Sequence, residues 1–277
     1  MANLVFDTYG KTRVRLMQVL RGDHAHEIME INASILLQGR LAESYTTGDN
    51  SQVLPTDTIR NTIYILARQH PIESIEQFGW RLGRYFLERI SHLEAVNVAI
   101  EQTPWDRIAS HDSAFAQSSK EQRVTRLNVA RDGEIIVSGV RNLQILKTSR
   151  SAFCGYMKDE YTTLPETKDR LLGTVLDAEW TLSRAGQNID FNQLYAHVKS
   201  VLLDCFATHE SLSVQHTLYA MGEAALAKFE QLQDVRLTMP NKHCLLFDLT
   251  RFGLDNPNQI FVPTDEPSGY IEARLSR

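Results

Sequence analysis

The sequence predicts an α+β protein built as two tandem domains, each a sheet with its helices on one face. Three observations carry this. Apolar alternation of strand type and apolar stripes of helical type follow one another as strand, strand, helix, helix, strand. That order then occurs a second time. Finally, six apolar positions recur in register across a helix-to-strand junction: Leu87, Ile90, Leu93, Val96, Val98 and Ile100 match Leu226, Phe229, Leu232, Val235, Leu237 and Met239, each 139 residues on. Chance rarely keeps six intervals, so the chain reads as a duplication. The boundary falls near Asp132-Gly133, giving domains 1–133 and 134–277.

In chain order, Thr12 to Leu20 reads as a strand with Val14 and Leu16 on its apolar side, and His26 to Leu41 as the return strand of a long hairpin. Glu43 to Gln52 is polar and reads as a loop. Ile59, Ile63, Leu66 and Ala67 stripe a first helix that Pro71 ends. Ser74 with Gln77 has the spacing of an N-terminal cap, and Ile75, Phe78, Leu82 and Phe86 stripe a second helix. Strand pattern returns at Val96, Val98 and Ile100. In the second copy, Ile135–Val137 and Leu143–Leu146 read as two strands. Leu194, Val198, Val201 and Cys205 stripe a helix, and a longer helix runs from about Ser213 to Gln231. Val235, Leu237 and Met239 alternate as a strand, Pro240 interrupts it, and Cys244 to Leu249 reads as a further buried strand.

A chain of 277 residues with 43% hydrophobic and 23% charged residues can bury a sizeable core. Its net charge of -5 argues against nucleic acid or an anionic membrane as partner. Three cysteines without metal-type spacing favour a reducing compartment over a disulfide scaffold. Met1 to Lys11 lacks a signal pattern and no apolar run reaches membrane-spanning length. Leu275-Ser276-Arg277 is no peroxisomal tripeptide, so the expected location is cytoplasmic.

The break between the last two strand runs holds Asn241-Lys242-His243. In extended chain Asn241 and His243 share a side, where an amide and an imidazole can orient a polar ligand or move a proton. Their counterparts in the first copy are Gln102 and Pro104, an asymmetry that fits a site used in copy two. The bland alternative is a polar strand junction. His24 and His26 with Glu27 form one close histidine pair with no third ligand nearby, poor support for a metal site. Neither a glycine-rich dinucleotide fingerprint nor a phosphate-binding loop is present.

Four blocks resemble one family. Tyr9-Gly10-Lys11, the stretch Val53 to Thr62, the stretch Asp159 to Arg170, and Asn241-Lys242-His243 with Asp248, Phe252-Gly253-Leu254 and Phe261 to Pro267 are similar to the urate oxidases (uricases), in that family's order. Cys244 departs from it, standing where the family often has an aromatic residue. The resemblance implies two tandem T-fold (tunnelling fold) domains with antiparallel sheets, four chains closing these sheets into β-barrels, and oxidation of urate by O2 without a cofactor. It implies a homotetramer whose active sites are shared between subunits.

Residue by residue, the resemblance makes Lys11 and Thr56 a proton-relay dyad, with His243 extending it. It makes Asp57, Phe153, Arg170, Val214, Gln215 and Asn241 substrate-contacting, with Thr56 and Asp57 reaching the pocket from an adjacent subunit. The residue chemistry is compatible. A lysine can take a hydroxyl proton while the hydroxyl takes one from substrate. A guanidinium forks onto a carbonyl and an adjacent ring nitrogen, an amide donates and accepts at once, and an aromatic ring stacks on a flat heterocycle. Read without the resemblance, Lys11 is a surface lysine, Thr56 a helix cap, Arg170 an ion-pair partner of Glu166 or Asp169, Gln215 a first-turn residue and Phe153 core. Two rival functions stand beside urate oxidation: a zinc-dependent pterin or purine enzyme of the same fold such as a cyclohydrolase, and a non-catalytic purine-binding protein.

Overall fold

The alternation from Tyr9 onward forms β1 (Tyr9–Arg21), which turns back as β2 (His26–Gly39). The computed structural model of the chain describes residues 2–117, 119–182 and 189–277. Contacts within the chain group it into two compact units: residues 1–139 with 181–195, and residues 140–180 with 196–277. Both are α+β units of tandem T-fold type.

In unit 1, β2 leads through a short α1 (Ala42–Thr46) to α2 (Thr56–Gln69), α3 (Ile75–Arg89) and β3 (Leu93–Thr103). A small ribbon of β4 (Asp106–Arg107) and β5 (Phe115–Ala116) precedes β6 (Gln122–Ala130) and the first half of β7 (Gly133–Lys147). The sheet order is β1-β2-β3-β6-β7, with the pairings from β1 through β6 antiparallel. The predicted stripes are the buried ones: Ile59, Ile63, Leu66 and Ala67 on α2, and Ile75, Phe78, Leu82 and Phe86 on α3. Facing them, Ile31, Ala33, Ile35 and Leu37 of β2 and Val96, Val98 and Ile100 of β3 are all at most 1% exposed. Helix α3 lies close on β6 because Gly83 carries no side chain. A Cβ there would stand 2.5 Å from Val129.

Unit 2 repeats the plan with the second half of β7, then β8 (Leu172–Leu182), α4 (Phe191–Thr208), α5 (Val214–Lys228) and β9 (Leu232–Thr238). Two short strands follow, β10 (Asn241–Lys242) and β11 (Cys244–Leu246), then β12 (Phe261–Pro263) and β13 (Glu272–Ser276). The order is β7-β8-β9-β13, with β10 on β8. The 139-residue spacing holds beyond the six apolar positions. Ser74 and Ser213 both cap their helices, accepting from the N–H groups of Gln77 and His216. Gly222, matching Gly83, gives Leu275 its place on α5.

One arginine closes the helix-to-strand junction in each unit. Arg131 donates to the carbonyls of Leu87, Ile90, Ser91 and Leu93. Arg277 does the same for Leu226, Phe229 and Leu232. The carbonyls of Leu87 and Ile90, and of Leu226 and Phe229, end α3 and α5, where the helix dipole is negative and orphan acceptors need donors. Arg131→Ala is expected to lower unfolding free energy by about 1–2 kcal/mol, because the exposed carbonyls regain water. Urea denaturation checks this, and an unchanged midpoint would refute the clamp.

The structure corrects several sequence expectations. Ile135–Val137 and Leu143–Leu146 belong to one strand, β7, because backbone pairing continues through the polar residues between them. Strands β6 and β8 were not anticipated, although Leu172, Thr174, Leu176, Ala178, Trp180 and Leu182 of β8 alternate and are buried. The stretch Cys244 to Leu249 is not a buried strand. Only Cys244–Leu246 is extended, and it pairs with β12 as a ribbon that leaves Leu245 and Leu246 about half exposed. The polar loop from Glu43 contains α1. On α4 the buried line runs Leu194, Val198, Leu202 and Phe206, with Val201 and Cys205 half-buried at its edge.

Candidate active site

In unit 1 the relevant residues start at β1. Lys11 sits immediately before a register shift between Lys11 and Val14, a bulge in which Arg13 adopts φ 58° and donates its N–H to Ser34 Oγ at 3.1 Å. Bulges re-aim the neighbouring side chain, here that of a half-buried lysine. Tyr9 Oη accepts the Leu54 N–H at 2.8 Å, tying the 53–55 loop to β1. Pro55 then holds the N-cap position of α2, so Thr56 is its first helical residue and makes no cap bond. Asp57 is ion-paired with Arg60 at 2.7 Å and accepts from Asn61. Thr56 and Asp57 are both exposed, and no hydrogen bond joins Lys11 to Thr56 within the described residues.

Unit 2 contains a cleft of about 690 Å³ lined by Phe153, Arg170, Asn241, Lys242, His243 and Cys244 among others. Its walls are knit by backbone bonds between three separate stretches. Ala152 donates to Ser211 and Ser211 to Arg150, while Arg170 N–H donates to Ser151 at 2.8 Å. Phe153 and Thr167 exchange both their backbone bonds. Loop 148–171 is therefore a fixed wall, anchored to the chain entering α5.

Arg170 is half-buried, and burial holds its guanidinium below the usual arginine range. Its guanidinium carbon lies 5.3 Å from the Phe153 ring centre, and its Nε is buried without a hydrogen-bond partner among the described residues. The ion-pair reading for Arg170 fails for a specific reason. Glu166 pairs with Lys158 at 2.9 Å, and Asp169 accepts the Ser151 N–H. Behind Phe153, Tyr156 stacks at 4.7 Å and 16°, its hydroxyl donating to the Leu164 carbonyl. Tyr156 was missed in sequence. Its spacing of three from Phe153 was the available signal, but in a loop that spacing carries no periodic meaning.

Across the cleft, Asn241 and Lys242 pair with Thr174 and Gly173 of β8, and Asn241 N–H donates to Gly269 at 2.8 Å. Lys242 Nζ meets Asp265 at 2.6 Å. The His243 carbonyl accepts both the N–H and the hydroxyl of Thr264. Thr264 and Asp265 thus fix the backbone on which Asn241 and His243 stand. Asn241, Lys242 and His243 all border the cleft. Val214 is buried in the first turn of α5 and Gln215 beside it is exposed, and neither lines the cleft. Among the described residues no three histidine, cysteine, aspartate or glutamate side chains converge on a common point.

A sequence model of the Uricase family matches residues 7–128 and 136–272. The chain belongs to the uricase family. Uricase from Arthrobacter globiformis is 40% identical over 269 residues, covering 97% of this chain and 88% of that protein. Uricase from Dictyostelium discoideum is 36% identical, covering 100% and 98%. A crystal structure of the Arthrobacter globiformis uricase superposes with a TM-score of 0.95 at 39% identity, covering 100% of this chain and 96% of that one. In this uricase-family chain the likeness runs along nearly the whole length, and the cleft of unit 2 brings the Asn241-Lys242-His243 stretch together with Arg170 and Phe153.

Proposed function

We propose that the chain is a cofactor-independent urate oxidase, converting urate, O2 and H2O into 5-hydroxyisourate and H2O2. One observation carries the site assignment: the Arg170 guanidinium, half-buried beside Phe153 and without an ion-pair partner among the described residues, in a cleft shared with Asn241 and His243. A desolvated guanidinium without a counter-charge favours a planar anion with adjacent carbonyl and ring-nitrogen acceptors, and urate is one. Phe153 supplies a face for the ring, with Tyr156 supporting it from behind. The resemblance gives Gln215 and Val214 the edge-on contacts, from the start of α5 beside the wall rather than from the cleft lining itself. Asn241 holds O2 and then the attacking water over the ring, and His243 passes protons onward.

Lys11 and Thr56 act as the relay that draws a proton from bound urate, leaving an electron-rich dianion able to reduce O2. The exposure of Thr56 and Asp57 in the chain supports their contribution to a neighbouring subunit's site within a homotetramer. So does the exposed apolar ribbon bearing Leu245, Leu246, Ile260 and Val262. No helix among the described residues is long and apolar enough to cross a membrane, and we place the protein in the cytoplasm.

The test is an oxygen-electrode trace with urate. O2 uptake should proceed at the same rate in exhaustively chelated buffer, and Lys11→Met should lower kcat far more than it raises KM, since a relay acts in the transition state. Uptake that vanishes with chelator and returns with zinc or copper would overturn the cofactor-free reading. Urate binding without any O2 uptake would leave a binding protein.

A further inference from the structure

The duplication places two residues in the same position with opposite consequences. Glu76 and Gln215 are both the second residue of a helix capped by serine, Ser74 and Ser213 respectively. Gln102 and Asn241 also correspond at the 139-residue spacing. Gln102 pairs with Arg123, and Asn241 bridges to Gly269, so Arg123 and Gly269 occupy equivalent places on their sheets.

In unit 1 that corner is full. The Arg123 guanidinium reaches Glu76 at 2.7 Å, with the two side chains 10% and 1% exposed. Arg123 also donates to Asn192 Oδ1 at 2.6 Å and to the Phe191 carbonyl, and the second Glu76 oxygen takes the Ser138 hydroxyl at 2.9 Å. In unit 2 Gln215, at the place of Glu76, is exposed, and no ion pair or hydrogen bond of its side chain is found among the described residues. Gly269 is not required by its backbone, which avoids the left-handed region. Nor is it required by packing: a Cβ there would meet Asn241 Cβ at 3.7 Å and Ile271 Cδ1 at 3.8 Å, ordinary contacts. What glycine does at this position is withhold a side chain.

We propose that Gly269 keeps the ligand corner of unit 2 open, and that the corner of unit 1 is the same kind of site occupied by its own Arg123. The proposal rests, for the identity of the unit 2 ligand, on the reading of the cleft as a urate site. The anchor residues fit their occupants. A carboxylate at the first helical turn suits a guanidinium cation, whereas an amide donates and accepts at once and suits the –NH–C(=O)– edge of a purine. The two copies therefore hold a planar N–C–N or N–C–O group at one place in the fold, one supplied by the chain and one by the substrate.

Variants at both corners test this. Gly269→Ala should bind urate anaerobically within about threefold of wild type, since the added methyl meets only ordinary contacts. Gly269→Arg should lose affinity by about a hundredfold or more, through a side chain lying where substrate lies. Adding Gln215→Glu to Gly269→Arg should raise its thermal midpoint by rebuilding the unit 1 pair. If Gly269→Arg binds urate as wild type does, or Gly269→Ala is as damaging as Gly269→Arg, the space-keeping role is wrong. Should the arginine variant not fold, Gly269→Leu gives the same contrast. In the other direction, methylguanidinium at millimolar concentration should saturably raise the melting midpoint of Arg123→Gly and not that of Arg123→Gly/Glu76→Gln. Absence of that rescue overturns the self-occupied corner. Because this arm needs no urate, its success with a wild type that fails to bind urate would isolate the fault in the urate reading.

Discussion

Arg170→Ala should weaken urate binding by roughly 2–5 kcal/mol, about thirtyfold to several thousandfold, measured anaerobically so that no turnover intervenes. The magnitude follows from the environment. Arg170 is half-buried, burial already pushes its guanidinium towards the neutral form, and no carboxylate in the described chain balances it. A bound anion would do so in a setting less screened than bulk water. Removing the arginine leaves that anion in the same cleft without its forked partner, and the one other cation on the described lining, Lys242, is already paired with Asp265. Arg170→Lys should recover little, because a point charge cannot fork onto two acceptors in a plane. Folding should survive, since the Arg170 N–H that bonds Ser151 is backbone. Affinity unchanged within threefold would remove Arg170 from the binding site.

The largest stability effect is expected at Glu76→Ala, a loss of about 3–5 kcal/mol, or roughly 10 °C in melting temperature. Burial pushes the Glu76 carboxyl up, while Arg123 and the Ser138 hydroxyl hold it down. The compensation is mutual. Without Glu76, Arg123 remains buried with Asn192 and a backbone carbonyl as neutral acceptors and no counter-charge. Glu76→Leu combined with Arg123→Met should restore most of the loss, because removing both charges removes both desolvation costs. Differential scanning calorimetry decides it. A double variant no better than the single would show that packing, not the stranded charge, sets the cost.

Much of this architecture could be read from the sequence because it depends on local periodicity. Ile59, Ile63 and Leu66 were assigned to a helix face by their spacing, and the Ser74 cap by its distance from Gln77. The repeat from Leu87 to Ile100 and Leu226 to Met239 needed only comparison of the chain with itself. Polar interruptions defeated the same method at β7, where Arg141 and Asn142 sit inside a continuous strand. Asn142 takes φ 58° and donates its N–H to the Asp177 carboxylate, a local departure from extended backbone that an apolar count reads as an end. The exposed β11 was misread because a run of apolar residues fixes what must be buried but not by which partner.

For the candidate site, sequence determined residue types and, through resemblance, the blocks in which they stand. It could not determine that Phe153, Arg170, Asn241 and His243 border one cleft, since residues separated by up to ninety positions meet only once loop 148–171 is tied to the chain entering α5 and Asn241 and Lys242 pair with β8. Nor could it show that Tyr156 backs Phe153, or that Glu166 and Asp169 are engaged elsewhere and leave Arg170 without a counter-charge. Glu76 and Gln215 look interchangeable as first-turn residues. The duplication can be read from sequence because periodic burial is written locally; only the tertiary structure showed that Arg123 lies against Glu76 in unit 1 while Gly269 stands at the equivalent place in unit 2, because that depends on how distant segments pair.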